Sequence, residues 1–220
     1  QLYSYKDTLA LENYEAALAY EPGYAPALVG KAEIFRMRGN LPAFFSAIHD
    51  FAIDKNIAPY PKCEYVRSIL QRVDGNIFST WSRQLDSLVG DCVKAHPTDS
   101  SALKLAGGWF YGTDRKELGA KYFDDLLKYY PDNMEAHFTR LQLLAYDNDR
   151  EAMIAECRDI IRYAGGDNKY ILPALSSMGD CYYDLGKKEE AYSCYEKVLK
   201  AAQQKPTLLP CWDPMFAAEE

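Results

Sequence analysis

The 220-residue sequence is 48% apolar, 14% aromatic and 26% charged, the composition of a globular chain long enough to bury a large core. Its 25 Lys and Arg against 32 Asp and Glu leave a formal charge of −7, a field that repels phosphate backbones and argues against a nucleic-acid partner. No run approaches the roughly 18 uninterrupted apolar residues of a membrane-crossing helix, and the amino-terminal stretch lacks the basic-then-apolar layout of a signal peptide. The expectation is no membrane insertion and a cytoplasmic setting, or an exported one if a leader has been removed ahead of Gln1.

In chain order, the apolar spacing predicts helices over 4–21, 25–38, 41–54, 62–73, 78–95, 100–112, 115–129, 133–146, 149–163, 170–185 and 188–203, all amphipathic and none strand-like. The helix-ending residues Pro97, Pro131 and Gly165 are spaced 34 residues apart, a period typical of stacked helical hairpins. That spacing divides the chain into a half repeat at 4–22 and repeats at 25–56, 62–97, 100–131, 134–165 and 172–203. Proline stops the second helix of a unit because its ring cannot continue the hydrogen-bond ladder. Gly39-Asn40, Asp147-Asn148-Asp149 and Gly186 predict the turns between first and second helices. Extra residues at 56–61 and 165–168 are expected to form loops. The unit carrying Trp81, Leu85 and Val89 in its second helix fits the period least well. Small residues such as Ala32, Gly107 and Gly179 should let the helices of a hairpin approach, with a Tyr or Phe three positions later filling the gap between turns. After Gln203, Pro206, Pro210 and Pro214 exclude a helix. The apolar segment 208–216 is expected to cap the last hairpin, or else to serve as a linear motif for a partner. A chain shortened by 206–220 should therefore lose thermal stability if the cap exists.

The unit Leu175, Met178, Gly179, Tyr182, then Gly186, Ala191, Tyr195 and Val198, resembles the tetratricopeptide repeat, whose signature is W-x-x-L-G-x-x-Y followed by A-x-x-x-F and a closing Pro. Ala10, Tyr14, Ala17 and Pro22 are similar to its second half, and Leu28, Ala32, Phe35 and Gly39 begin the next copy. The resemblance covers most of 4–203. It implies an all-α, right-handed α-solenoid of tetratricopeptide-like helix-turn-helix repeats, acting as a non-catalytic scaffold that holds a peptide or protein in a concave groove lined by first helices. Carried over position by position, it selects Val29, Glu33, Arg36 and Met37; Lys104, Gly108 and Tyr111; Glu135, Phe138, Gln142 and Tyr146; and Ser176, Asp180, Tyr183 and Asp184. Glu33, Arg36, Met37, Lys104, Tyr111, Phe138, Gln142, Tyr146, Asp180 and Tyr183 are the expected groove contacts. Their aromatic, mildly acidic character implies an apolar or basic partner segment. The family's clamp for acidic chaperone tails is disfavoured, because Gly108 replaces its Asn and Glu135 and Thr139 stand where positive charge is needed. The alternative is a structural segment of a larger repeat protein, or a homo-oligomer that self-associates through its ends.

Signs of chemistry are weak. The six cysteines include no C-x-x-C pair and His49, His96 and His137 are isolated, so reduced, buried thiols and no metal are expected. Gly179 to Gly186-Lys187-Lys188 has the wrong spacing for a phosphate-binding loop and lacks its Ser or Thr. There is no G-x-S-x-G or H-E-x-x-H motif. The sequence predicts neither an enzyme nor a cofactor.

Overall fold

In a computed structural model of the chain, residues 2–204 are described, and among them are eleven helices and no strand. They are α1 (Leu2–Tyr20), α2 (Ala25–Met37), α3 (Leu41–Ile53), α4 (Pro59–Leu70), α5 (Gly75–Ala95), α6 (Ser100–Gly112), α7 (Lys116–Tyr129), α8 (Met134–Tyr146), α9 (Arg150–Tyr163), α10 (Asn168–Asp184) and α11 (Lys188–Gln204). The all-α class and the helix-turn-helix repeat expected from the sequence are what the chain adopts. The expected loop at 56–61 is shorter than its prolines suggest, since α4 begins at Pro59. Proline in the first helical turn sacrifices no bond, because the leading N–H groups of a helix have no internal acceptor. Likewise α5 begins at Gly75, where the Asp74 side chain accepts from the Ile77 N–H at 2.8 Å. The tail at 206–220 and Cys211 lie outside the described residues.

The chain divides between Tyr129 and Tyr130 into two compact units. In the first, α1 packs on α2, α2 on α3, α3 on α5, α4 and α5 on α6, and α6 on α7. Its core is built from Phe44, Ile48, Phe51, Val66, Val89 and Phe110. In the second, α8 packs on α9, α9 on α10 and α10 on α11 around Ile154, Cys157, Ile160, Leu175 and Cys194.

A single turn design recurs between first and second helices. Gly39, Asp114, Asn148 and Gly186 have φ of 70°, 62°, 58° and 73°. The next residue then bonds back to a carbonyl five positions earlier: Asn40 to Phe35 at 2.9 Å, Arg115 to Phe110 at 2.9 Å, Asp149 to Leu144 at 3.1 Å and Lys187 to Tyr182 at 2.9 Å. The α4–α5 connection lacks this geometry and closes instead through shorter bonds, Arg72 to Ile69 at 3.0 Å and Val73 to Leu70 at 3.2 Å. This is the unit that fits the sequence period least well.

Glycine governs how closely the helices approach. A Cβ on Gly30, Gly107 or Gly179 would meet the ring of Tyr14, Phe123 or Tyr195 at 2.3, 2.9 and 2.6 Å respectively. This corrects the expected packing at Gly107 and Gly179, where the ring against the glycine comes from the paired second helix and not from three positions further along the same helix; at Gly30 it comes from α1, the helix before the hairpin. Across a hairpin the partner helix faces the small residue directly, whereas a neighbour at i+3 lies beside it on the same surface.

Candidate binding surfaces

The expected groove residues fall on α2 and α6 in the first unit and on α8 and α10 in the second. On α2, the Glu33 carboxylate accepts from Arg36 Nε at 2.9 Å and from a terminal guanidinium nitrogen at 2.6 Å. Its other oxygen accepts from the Tyr65 hydroxyl on α4 at 2.6 Å. Burial alone would raise the Glu33 pKa, but the Arg36 and Tyr65 hydrogen bonds and the nearby Arg72 charge outweigh it and hold the carboxyl below its ordinary value. Glu33 and Arg36 thus spend their charges on each other and on α4. Met37, at the end of the same helix, is 65% exposed. Lys104 and Tyr111 are half-buried on α6, and space is open around Gly108 between them.

In the second unit Gln142 is exposed and Tyr146 is 70% exposed on α8. Phe138 packs against the core instead, its ring 6.1 Å from that of Tyr170. On α10, Tyr183 is 55% exposed. Asp180 accepts from the Tyr195 hydroxyl at 2.7 Å, and Asp184 pairs with Arg150 at 2.9 Å. Three of the expected contacts, Met37, Tyr146 and Tyr183, therefore present large side chains to solvent, whereas Glu33, Arg36, Asp180 and Phe138 are engaged within their own units.

Several polar groups that the sequence reading left isolated find partners through the fold. His137 is buried, with Nδ1 2.6 Å from Glu156 and Nε2 2.8 Å from the Pro131 carbonyl, and Arg140 lies 3.2 Å from the other Glu156 oxygen. Buried Asp91 on α5 meets His49 Nδ1 at 2.6 Å and Lys94 at 2.9 Å. Buried Lys62 donates to the Asp54 carbonyl. Arg115 bridges to Asp86, which also accepts from Trp109 Nε1 at 2.8 Å. Tyr65 and the His49–Asp91, Arg115–Asp86 and His137–Glu156 pairs carried no signal in the sequence, because their partners lie on different elements, whereas Asp91–Lys94 has the ordinary i,i+3 spacing of one helix. Among the described residues no cluster of three His, Cys, Asp or Glu is arranged to hold a metal ion, and no helix is long and apolar enough to cross a membrane.

Family models of the tetratricopeptide repeat match residues 8–48 and 173–204. No curated protein sequence matches the chain. Among solved structures, the MamA protein is 14% identical, with 86% of this chain and 98% of that one covered and a TM-score of 0.52. YrrB, described as a TPR protein with an unusual peptide-binding site, is 13% identical over 90% of this chain and 96% of its own, with a TM-score of 0.51. BtubC (BKLC) from P. vanneervenii is 11% identical over 91% and 90%, also with a TM-score of 0.51. At these identities the likeness is one of fold.

Proposed function

We propose that this chain, in which tetratricopeptide-repeat models match 8–48 and 173–204, is a non-catalytic interaction scaffold holding a peptide or protein against its first helices. The observation that carries this reading is the exposure of Met37, Tyr146 and Tyr183, each more than half open on a first helix. A large apolar side chain left in water contributes nothing to folding, whereas covering it on binding recovers its transfer free energy at low entropic cost. Each unit contributes its own polar and amphipathic contacts, Lys104 and Tyr111 on α6 in the first and Gln142 on α8 in the second. The ligand class is an apolar or basic segment, since Glu33 and Arg36 cancel one another and the formal charge is −7.

The test is affinity capture with the wild-type chain beside a Met37→Ala, Tyr146→Ala, Tyr183→Ala triple variant, with circular dichroism as the folding control. Loss of the captured partner supports the proposal and undiminished capture removes it. Phe138→Ala is the wrong probe, because it would excavate the core.

The second reading, self-association through the ends, draws on α11, where Tyr192 and Leu199 are 63% and 56% exposed one heptad apart. A solution-scattering mass of a dimer or larger at both low and high salt would favour it, and a monomer would exclude it.

A further inference from the structure

Away from the first-helix faces, the first unit carries two hollows on either side of α3. One, of about 270 Å³, opens between α1 and α3 over α2 and is lined by Leu18, Leu28, Phe35 and Ala47 with Lys31 at its edge. The other, of about 290 Å³, lies between α3 and α5 and is lined by Phe45, Gln84 and Leu88 with His49 and Asp91. Ser46 and Asp50, exposed on α3, border both.

The charges around the hollows are paired except for one. Lys31 is 3.2 Å from Glu15, while His49 and Lys94 both bind Asp91. Asp50 has no hydrogen-bond or ion-pair partner among the described residues, so it leaves an uncompensated carboxylate where the two hollows join. An apolar pocket with a free anion at its rim is complementary to an apolar side chain accompanied by a cation.

We propose that the hollows flanking α3 form a second docking site, for an extended segment of a partner protein in which an apolar residue stands two positions before an arginine or lysine. The spacing follows from geometry. Ala47 and Asp50 are one turn apart on α3, about 5 Å along its axis, and side chains at i and i+2 of an extended peptide project to the same side about 6.6 Å apart. The apolar side chain enters the hollow over Leu28 and Phe35, the cation pairs with Asp50, and Ser46 is placed to bond the peptide backbone. This site is independent of Met37, Tyr146 and Tyr183, so it can stand or fall separately from the reading above.

The experiment uses the full chain and a fluorescein-labelled peptide, Gly-Ser-Leu-Ser-Arg-Ser-Gly, followed by anisotropy, beside a control in which Glu replaces Arg. Expected are binding of the Arg peptide that weakens with added salt, a loss of about fivefold on Asp50→Asn, and little binding of the Glu peptide. Ala43→Trp, which fills the first hollow, should also weaken binding, while the Met37, Tyr146 and Tyr183 triple variant should bind as wild type. Equal binding of both peptides, affinity unchanged by Asp50→Asn, or binding abolished in the triple variant would each overturn the proposal, as would no binding of the Arg peptide at millimolar concentration.

Discussion

Lys62, Asp91, His137 and Glu156 are all at least 97% buried, yet no buried side-chain nitrogen or oxygen among the described residues lacks a partner. Burial of a charge is tolerable only with such pairing, and removing one member leaves the other stranded. Glu156→Ala should therefore cost roughly 3 kcal/mol in urea unfolding, because His137 and Arg140 both lose their anion. Burial lowers the His137 pKa, but the hydrogen bond and charge of Glu156 and the Pro131 carbonyl more than reverse this and hold it above the ordinary histidine value. A raised folded pKa means that protonation favours the native state. Its contribution is complete below the unfolded value of about 6.5 and is lost as pH rises through the folded value. The urea midpoint of wild type should fall over that interval, and the decline should shrink in His137→Gln. The thiols tell a simpler story: Cys63, Cys92, Cys157, Cys181 and Cys194 are free and buried, and burial pushes Cys157 up to about 12. Alkylation of Cys157 at mildly alkaline pH should follow global unfolding, and rapid labelling of the native protein would contradict the burial.

Between helices, the same kind of residue has opposite consequences depending on what faces it. Gly119 on α7 lies against backbone, where a Cβ would meet Tyr111 N at 2.8 Å and the Gly107 carbonyl oxygen at 3.0 Å. Backbone cannot rotate aside, so Gly119→Ala should destabilise by roughly 2 kcal/mol as α6 and α7 are forced apart. Gly108, one residue beyond Gly107 on α6, has open space at the same position. Gly108→Ala should stabilise by about 0.5–1 kcal/mol through helix propensity alone. Thermal melts of the two variants form a matched test, and equal shifts would refute the packing account. Gly186 differs again: space is open, but its φ of 73° is unfavourable for a residue with a Cβ. Gly186→Ala should therefore cost about 1 kcal/mol from backbone strain.

At the scale of the whole molecule, the helical repeat was legible because it is written locally. A 3.6-residue apolar rhythm marks the helices, Gly, Asp or Asn marks each recurring turn, and proline marks the ends. These signals depend on neighbours only a few residues away, so they predicted all eleven described helices to within a few residues. They were misread at 56–61, where prolines taken for a loop begin α4, because a first helical turn needs no N–H donor. Position within the first helix also nominated the solvent-facing Met37, Tyr146 and Tyr183. The sequence by itself thus determined the helices and most of the turns between them. Only the tertiary structure decided which candidates are engaged within their own units. Glu33 is claimed by Tyr65 from 32 positions away, Phe138 by the core and Asp180 by Tyr195, while Asp50, which no spacing singled out, lies beside a hollow with no partner among the described residues. Hydrogen bonds and van der Waals contacts act over a few ångströms in space whatever the separation along the chain, and no linear spacing encodes which helices will meet.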